Sequence, residues 1–310
     1  MPPVSAPLIA LVGPTGTGKT DLSILLAEQL NGGVLSCDSR TIYCKMDIGT
    51  AKPTAEQQSR VPHFMIDLID PERFYSVAEY KEGAERVLQE LASESRLPIV
   101  CGGTGLYARA LLEGIDIPAV PPQVDLRKSL NDFADLNGNQ ALHEQLVALD
   151  PVTAKRLSAN DRFRVIRALE VSMVAGKPFS ELAVKNKSAH RTVWIGLCWS
   201  DRAKHRAALT KRFDQQIDQG LLDEVQELFV HPQYEKVLLR AVNYKEFFPY
   251  LKGQIDLQEV RQNCITSNSQ LARKQQIWFR ANSEINWFSV DEMPAKEICE
   301  RVLKLYRASF

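Results

Sequence analysis

The chain has 310 residues and a formal charge of zero, with 38 basic residues set against 38 acidic ones. That length supports one large domain or a main domain carrying a smaller one. The neutral balance excludes a global field drawing the protein onto nucleic acid, so any such contact must come from a local cluster. The six cysteines, Cys37, Cys44, Cys101, Cys198, Cys264 and Cys299, form no C-x-x-C pair, which points to reduced thiols and away from a zinc knuckle or disulfide framework. The first residues lack a basic region followed by an apolar core of signal length, and no apolar run reaches membrane-spanning length. No internal repeat is detectable, and a cytoplasmic protein with no membrane partner is expected.

Residues 8–20 read Leu-Ile-Ala-Leu-Val-Gly-Pro-Thr-Gly-Thr-Gly-Lys-Thr. Five apolar residues bounded by glycine fit a buried parallel strand, and Gly13, Gly18, Lys19 and Thr20 then satisfy the spacing of a phosphate-binding loop, the pattern of nucleotide- and ATP-binding proteins. Glycines let backbone N–H groups wrap phosphate oxygens, the next helix aims its positive end at them, Lys19 supplies charge and Thr20 can hold a magnesium ion. Nucleotide triphosphate, nucleotide monophosphate and isoprenoid pyrophosphate all offer suitable oxygens.

Leu22, Leu25, Leu26 and Leu30 then recur at helical spacing, and Asn31-Gly32-Gly33 stops the helix. Val34 to Cys37 reads as the second strand, placing Asp38 at the strand end where open α/β sheets build their ligand crevices, although a carboxylate there can also simply turn the chain through Ser39. Residues 47–53 read as a loop and residues 62–67 as a short strand; His63, without a spaced partner, reads as structural rather than as a metal ligand. Ser76 and Glu79 form a capping box for a helix with Val77, Tyr80, Ala84, Val87, Leu88 and Leu91 on one face. After the strand at residues 99–101, the turn Gly102-Gly103-Thr104-Gly105-Leu106-Tyr107 either points donors into the crevice or allows close helix-on-sheet packing.

The proline segment at residues 117–122 suits a domain boundary, beyond which the chain is helical and polar. Between residues 155 and 191 nine basic residues face three acidic ones, a local excess of +6. Helical spacing sets Arg164 and Arg167 on one face and offers Phe163, Ile166, Leu169 and Val174 as a core face. Strand character returns at residues 193–199, so the helical segment reads as an insertion. A helix then carries Leu209, Phe213 and Ile217 inward, with Arg212 on the border between core and solvent. Helical patterns follow at residues 221–229, 244–251 and 257–279, the last ending in a basic and aromatic cluster at residues 273–280 suited to unstacked bases. A last strand around residues 285–288 and a C-terminal helix with Ile298, Val302 and Leu305 complete the reading.

Taken together the pieces resemble the tRNA dimethylallyltransferases, also called tRNA isopentenyltransferases. The resemblance runs through Gly13-Pro14-Thr15-Gly16-Thr17-Gly18-Lys19-Thr20, Asp38-Ser39, Met46 to Pro53, Pro62-His63, the glycine turn from Gly102 to Tyr107, Asn160 to Glu170, Gly220 to Val225, Asn243 to Glu246 and Ala272 to Arg280. Three departures stand out. Arg40-Thr41 stand where many members carry Met-Gln, Pro14-Thr15-Gly16-Thr17 replaces a more usual loop with Ala-Ser in the middle, and Asn243 stands where glycine is common.

The resemblance implies a P-loop NTPase-like α/β core, residues 1–122 and 191–310, with a parallel sheet and a small helical insertion at 123–190 for tRNA binding. It implies transfer of a dimethylallyl group from its pyrophosphate to N6 of adenosine 37, beside the anticodon, in tRNAs reading codons that begin with U. In that scheme Asp38 is the general base, and Thr15, Lys19, Thr20 and Arg212 hold the pyrophosphate within the loop formed by Gly13, Pro14, Gly16, Thr17 and Gly18. Mg²⁺ bridges its oxygens and is met by Thr20 through phosphate. Asp38, Ser39, Arg40, Thr41 and Thr104 contact the target nucleotide, while Arg164, Arg167, Arg273, Lys274 and Gln275 hold the tRNA anticodon stem-loop. A site contained in one chain implies a monomer. An enzyme prenylating free adenine nucleotides, a P-loop small-molecule kinase and a non-catalytic tRNA-binding protein are the alternative readings.

Overall fold

The computed structural model describes residues 7–116, 118, 120–183 and 190–309. Residues 1–6, Ile117 and Ala119 of the proline segment, and Lys185 and Lys187 of the basic stretch lie outside the described residues. In chain order the elements are β1 (Leu8–Val12), α1 (Lys19–Leu30), β2 (Gly32–Ser36), α2 (Ala55–Arg60), β3 (His63–Phe64), α3 (Val77–Ser93), β4 (Leu97–Gly102) and α4 (Gly105–Leu112). Then come α5 (Val124–Leu149), α6 (Pro151–Ala154), α7 (Arg162–Ala175), α8 (Phe179–Leu182), β5 (Thr192–Cys198), α9 (Arg202–Asp218) and α10 (Leu221–Phe229). The chain ends with α11 (Glu235–Leu238), α12 (Phe248–Leu251), α13 (Leu257–Arg280), β6 (Asn286–Ser289) and α14 (Ala295–Arg307).

The sheet is six-stranded and parallel throughout, in the order β3-β2-β4-β1-β5-β6. Parallel pairing buries both faces of the central strands, and β1 is accordingly apolar throughout, with Ile9, Ala10, Leu11 and Val12 all fully buried. One face packs Ala10, Val12, Leu35 and Val100 against Tyr80, Ala84, Tyr107 and Leu111 of α3 and α4. The other packs Ile9, Leu11, Ile99 and Ile195 against Leu22 and Leu26 of α1 and Ile298 and Val302 of α14. A third cluster joins Phe213 of α9, Leu221 and Val225 of α10, Val260 of α13, and Tyr244 and Phe247 from the segment before α12. Among the described residues no helix is long and apolar enough to cross a membrane.

Several local expectations need correction. β2 begins at Gly32 rather than Val34, because Asn31 alone takes the left-handed turn (φ 49°) and both glycines pair with Leu97 and Pro98. The strand expected over residues 62–67 is confined to His63–Phe64, since Met65 (φ 60°) and Asp67 (φ 53°) leave extended geometry. Residues 244–251 form no single helix: a short 3-10 turn at Lys245–Phe247 precedes α12, whose first turn holds Pro249.

The described residues form two compact units, one from Pro7 to Leu112 together with His190 to Ser309, the other between Glu113 and Ala183. The second has its own core, in which Leu130, Leu142 and Leu146 of α5 meet Val165, Ile166, Ala168 and Leu169 of α7. This corrects the core face expected for α7: Phe163 and Val174 are exposed, at 67% and 47%, while Val165 and Ala168 point inward. At its centre Glu170, its side chain wholly buried, accepts hydrogen bonds from the Gln123 backbone N–H (2.7 Å), Arg127 (2.7 and 2.8 Å) and Arg167 (2.5 Å). Burial alone would raise this carboxyl, but those donors outweigh it and hold it below the usual range.

Glu170→Ala leaves two arginines without their partner and is expected to destabilise the helical unit by about 3 kcal/mol, read as a lowered calorimetric transition. Because the folded pKa lies below the unfolded one, this stabilisation is present above the unfolded pKa and lost as pH falls through the folded value. Wild-type stability should therefore decline in acid more steeply than that of Glu170→Gln.

Candidate active site

The carboxyl ends of β1, β2 and β4 open onto one cavity of about 860 Å³. After β1 the chain passes through Gly13, whose φ of 138° and contact with the sheet exclude a side chain: a Cβ would stand 2.3 Å from the Leu197 carbonyl oxygen. Thr15, Gly16, Thr17, Gly18, Lys19 and Thr20 line the cavity, and α1 begins at Lys19 with its N-terminus toward it, while Gly13 and Pro14 are buried behind them. Inside the loop the Thr17 hydroxyl (2.9 Å) and the Lys19 ammonium (2.6 Å) both donate to the Pro14 carbonyl.

The loop is braced from two distant helices. From the approach to α9 the Trp199 indole N–H donates to the Gly16 carbonyl (2.9 Å); from α9 itself His205 Nε2 donates to the Thr15 carbonyl (2.9 Å) and Arg212 Nη1 to Thr15 Oγ1 (3.0 Å). From α13 the Gln275 side chain accepts the Thr15 N–H (2.8 Å). Burial pushes the Lys19 ammonium down to about 8 and lowers Arg212 and His205, while the charge of Asp38 acts the other way on Lys19 and Arg212. The loop end of the cavity thus gathers Lys19, Arg212 and the N-terminus of α1, the electrostatic condition for binding a polyphosphate, while Asp21, Asp38, Asp47 and Asp67 line the rest.

Asp38 follows β2 and lines the same cavity, its Oδ1 accepting the Arg40 N–H (2.9 Å). Thr41 also lines it and shares a hydrogen bond with Ser36 (2.8 Å). Across from them Gly102 and Gly103 line the cavity, and Thr104 Oγ1 accepts the Ser39 N–H (2.9 Å). The glycine turn also makes room for α13, since a Cβ on Gly105 would stand 2.1 Å from the Trp278 ring, over which Arg109 lies at 5.8 Å.

The structure thus brings Thr15 to Thr20, Asp38, Thr41, Arg212 and Gln275 to one cavity, with Ser39, Arg40 and Thr104 beside it. Arg273 and Lys274 are exposed on α13, whereas Gln275 is only 9% exposed and spends its amide on the two loops. Arg164 and Arg167 belong to the helical unit; Arg164 pairs with Asp161 at its surface, and Arg167 is committed to Glu170 and the Val120 carbonyl. His63 bonds the Val61 carbonyl through Nδ1 (2.9 Å) and lines the cavity. Among the described residues no three His, Cys, Asp or Glu side chains are grouped as a metal site. Thr20 and Asp38 both line the cavity and offer oxygen ligands of the kind that suits Mg²⁺.

Sequence reasoning missed the residues that shape the opposite wall. Glu224 of α10 accepts the N–H groups of Asp47 (3.0 Å), Ile48 (2.7 Å) and Gly49 (3.0 Å) and the Tyr244 hydroxyl (2.6 Å), pinning the loop that carries Lys52. Lys52, with a nearly buried side chain, is held by Asp47, Asp67 (2.5 Å) and the Tyr43 carbonyl (3.0 Å). The motif containing Glu224 was visible in the chain, but the loop it pins lies 175 to 177 residues away.

Residues 41–282 match the family model for IPP transferase, and residues 6–68 the model for isopentenyl transferase. The tRNA dimethylallyltransferase of Acaryochloris marina (strain MBIC 11017) is 42% identical over 281 residues, 91% of this chain and 92% of that protein. The crystal structure of the full-length tRNA isopentenylpyrophosphate transferase from Bacillus halodurans superposes with a TM-score of 0.72 at 35% identity, covering 98% of both chains. A eukaryotic dimethylallyltransferase captured acting on tRNA shares the fold, with a TM-score of 0.75 at 24% identity over 92% of this chain and 74% of that one. With its phosphate loop, its parallel sheet and these matches over nearly its whole length, the chain belongs to the tRNA dimethylallyltransferase family and has that family's P-loop NTPase-like fold.

Proposed function

We propose that this protein transfers the dimethylallyl group of dimethylallyl pyrophosphate to N6 of adenosine 37 in tRNAs that read codons beginning with U. The observation that carries the reading is the single cavity holding both the Asp38 carboxylate and the Thr15–Lys19–Arg212 cluster. An exocyclic adenine amine is a weak nucleophile, so transfer needs a proton acceptor at nitrogen and stabilisation of charge at the departing pyrophosphate.

In the proposed step the bond from the allylic carbon to the pyrophosphate oxygen breaks, the bond from N6 to that carbon forms, and the N6 proton passes to Asp38. Backbone N–H groups of the loop, Lys19, Arg212 and the Thr15 hydroxyl meet the developing diphosphate charge. Thr20 would hold Mg²⁺ together with pyrophosphate oxygens, and the ion supplies further neutralisation of the leaving group. The exposed Arg273 and Lys274, with Arg164 of the helical unit, are proposed as tRNA phosphate contacts of a monomeric cytoplasmic enzyme.

The test offers purified protein dimethylallyl pyrophosphate with unmodified tRNA, with free AMP, or ATP with candidate alcohols, and identifies products by mass. Prenylated adenosine in tRNA is the expected product. Prenylated AMP with untouched tRNA would support a free-nucleotide enzyme instead, and γ-phosphate transfer a kinase.

A further inference from the structure

Gln275 lies in the last two turns of α13, 260 residues from Thr15, and its buried amide is bonded at both ends. Oε1 accepts the Thr15 N–H at 2.8 Å and Nε2 donates to the Gly103 carbonyl at 3.1 Å. Thr15 is consequently held at all three of its polar atoms, the amide by Gln275, the carbonyl by His205 and the hydroxyl oxygen by Arg212. A hydroxyl that accepts from an arginine keeps its own proton to donate, here into the cavity that Thr15 lines.

The Thr15 N–H is therefore not a donor left for a ligand; it is the point at which α13 sets the loop. Gly103 follows β4, the neighbour of β1, so one rigid side-chain amide ties together the loops at the ends of two adjacent strands. The fit is tight. A Cβ on Gly103 would stand 2.2 Å from Gln275 Nε2.

We infer that Gln275 is a positioning residue for departure of the pyrophosphate: by tying Thr15 to Gly103 it fixes the Thr15 hydroxyl and, through it, Arg212 against the leaving group. The inference rests on the prenyl-transfer reading proposed above and replaces the expectation that Gln275 touches tRNA. Displacement of a positioned group by about 1 Å can cost on the order of 10²-fold in rate, so loss of the brace should appear in turnover.

The experiment compares the full-length protein with Gln275→Met, which keeps volume and loses both hydrogen bonds, and Gln275→Glu, which keeps the bond to Thr15 and sets an oxygen against the Gly103 carbonyl. Thermal melting checks that each folds, and Gly103→Ala, whose methyl displaces the same amide, substitutes for Gln275→Met if that variant does not. The readouts are kcat, KM for tRNA, and affinity for inorganic pyrophosphate with Mg²⁺ by calorimetry. Expected are a kcat about 10-fold to 10²-fold lower, a tRNA KM within about twofold of wild type, and pyrophosphate binding about tenfold weaker. Wild-type kcat, or a loss confined to the tRNA KM, overturns the inference. If wild-type protein fails to prenylate tRNA, the proposed function falls; the pyrophosphate arm still decides, since weakened binding in Gln275→Met upholds the brace and unchanged binding rejects it.

Discussion

Asp38→Asn is expected to slow dimethylallyl transfer by about 10²-fold or more while leaving tRNA affinity within a factor of about two. The asparagine keeps an oxygen to accept the Arg40 N–H, so the turn after β2 survives and only the proton acceptor is removed. Asp38→Ala should be at least as slow. Single-turnover kinetics with enzyme in excess, alongside equilibrium binding of the same tRNA, separate the two effects. Binding that collapses while turnover survives would show that Asp38 grips the nucleotide rather than deprotonating it.

Arg212→Lys is expected to lower kcat by about 10²-fold to 10³-fold, the range seen when one donor to a developing oxyanion is lost. The substitution keeps the charge, yet the planar guanidinium is what reaches Thr15 Oγ1 at 3.0 Å from a half-buried position on the cavity wall. A lysine presents a compact, strongly hydrated point charge in place of that fork, so it restores neither the geometry nor the hydrogen bond. Steady-state kinetics check this, and a rate within about fivefold of wild type would mean that Arg212 contributes charge alone.

The phosphate loop, the strands β1, β4 and β5 and the cap of α3 were legible because each is written locally, as an apolar run ended by glycine or as Ser76 three residues before Glu79. The position of Asp38 followed from the same logic, since a residue after a short strand must emerge at the sheet edge. The stripe of α7 was misplaced because apolar residues occupy more than one face of that helix, so spacing alone does not choose between Phe163 and Val165 as the inward residue. Arg167 had Glu170 one turn away in the sequence, but nothing local reveals that this carboxylate is buried and also holds Arg127. The braces on the site were least visible. Gln275, His205 and Glu224 hold loops separated from them by 172 to 260 residues, and Gln275 sits inside a basic, aromatic stretch that reads as an outer surface.

The central claim is that one cavity takes a proton from adenine N6 at Asp38 while the phosphate loop and Arg212 receive the leaving diphosphate. A crystal structure of the protein with unmodified tRNA and an unreactive thio analogue of dimethylallyl pyrophosphate tests it most directly. The account predicts the extruded adenine N6 within hydrogen-bonding distance of an Asp38 carboxylate oxygen, about 2.6–3.2 Å, and the diphosphate against Lys19, Arg212 and the Thr15 hydroxyl. An adenine bound away from Asp38, or a diphosphate seated outside the loop between Gly13 and Thr20, would contradict it.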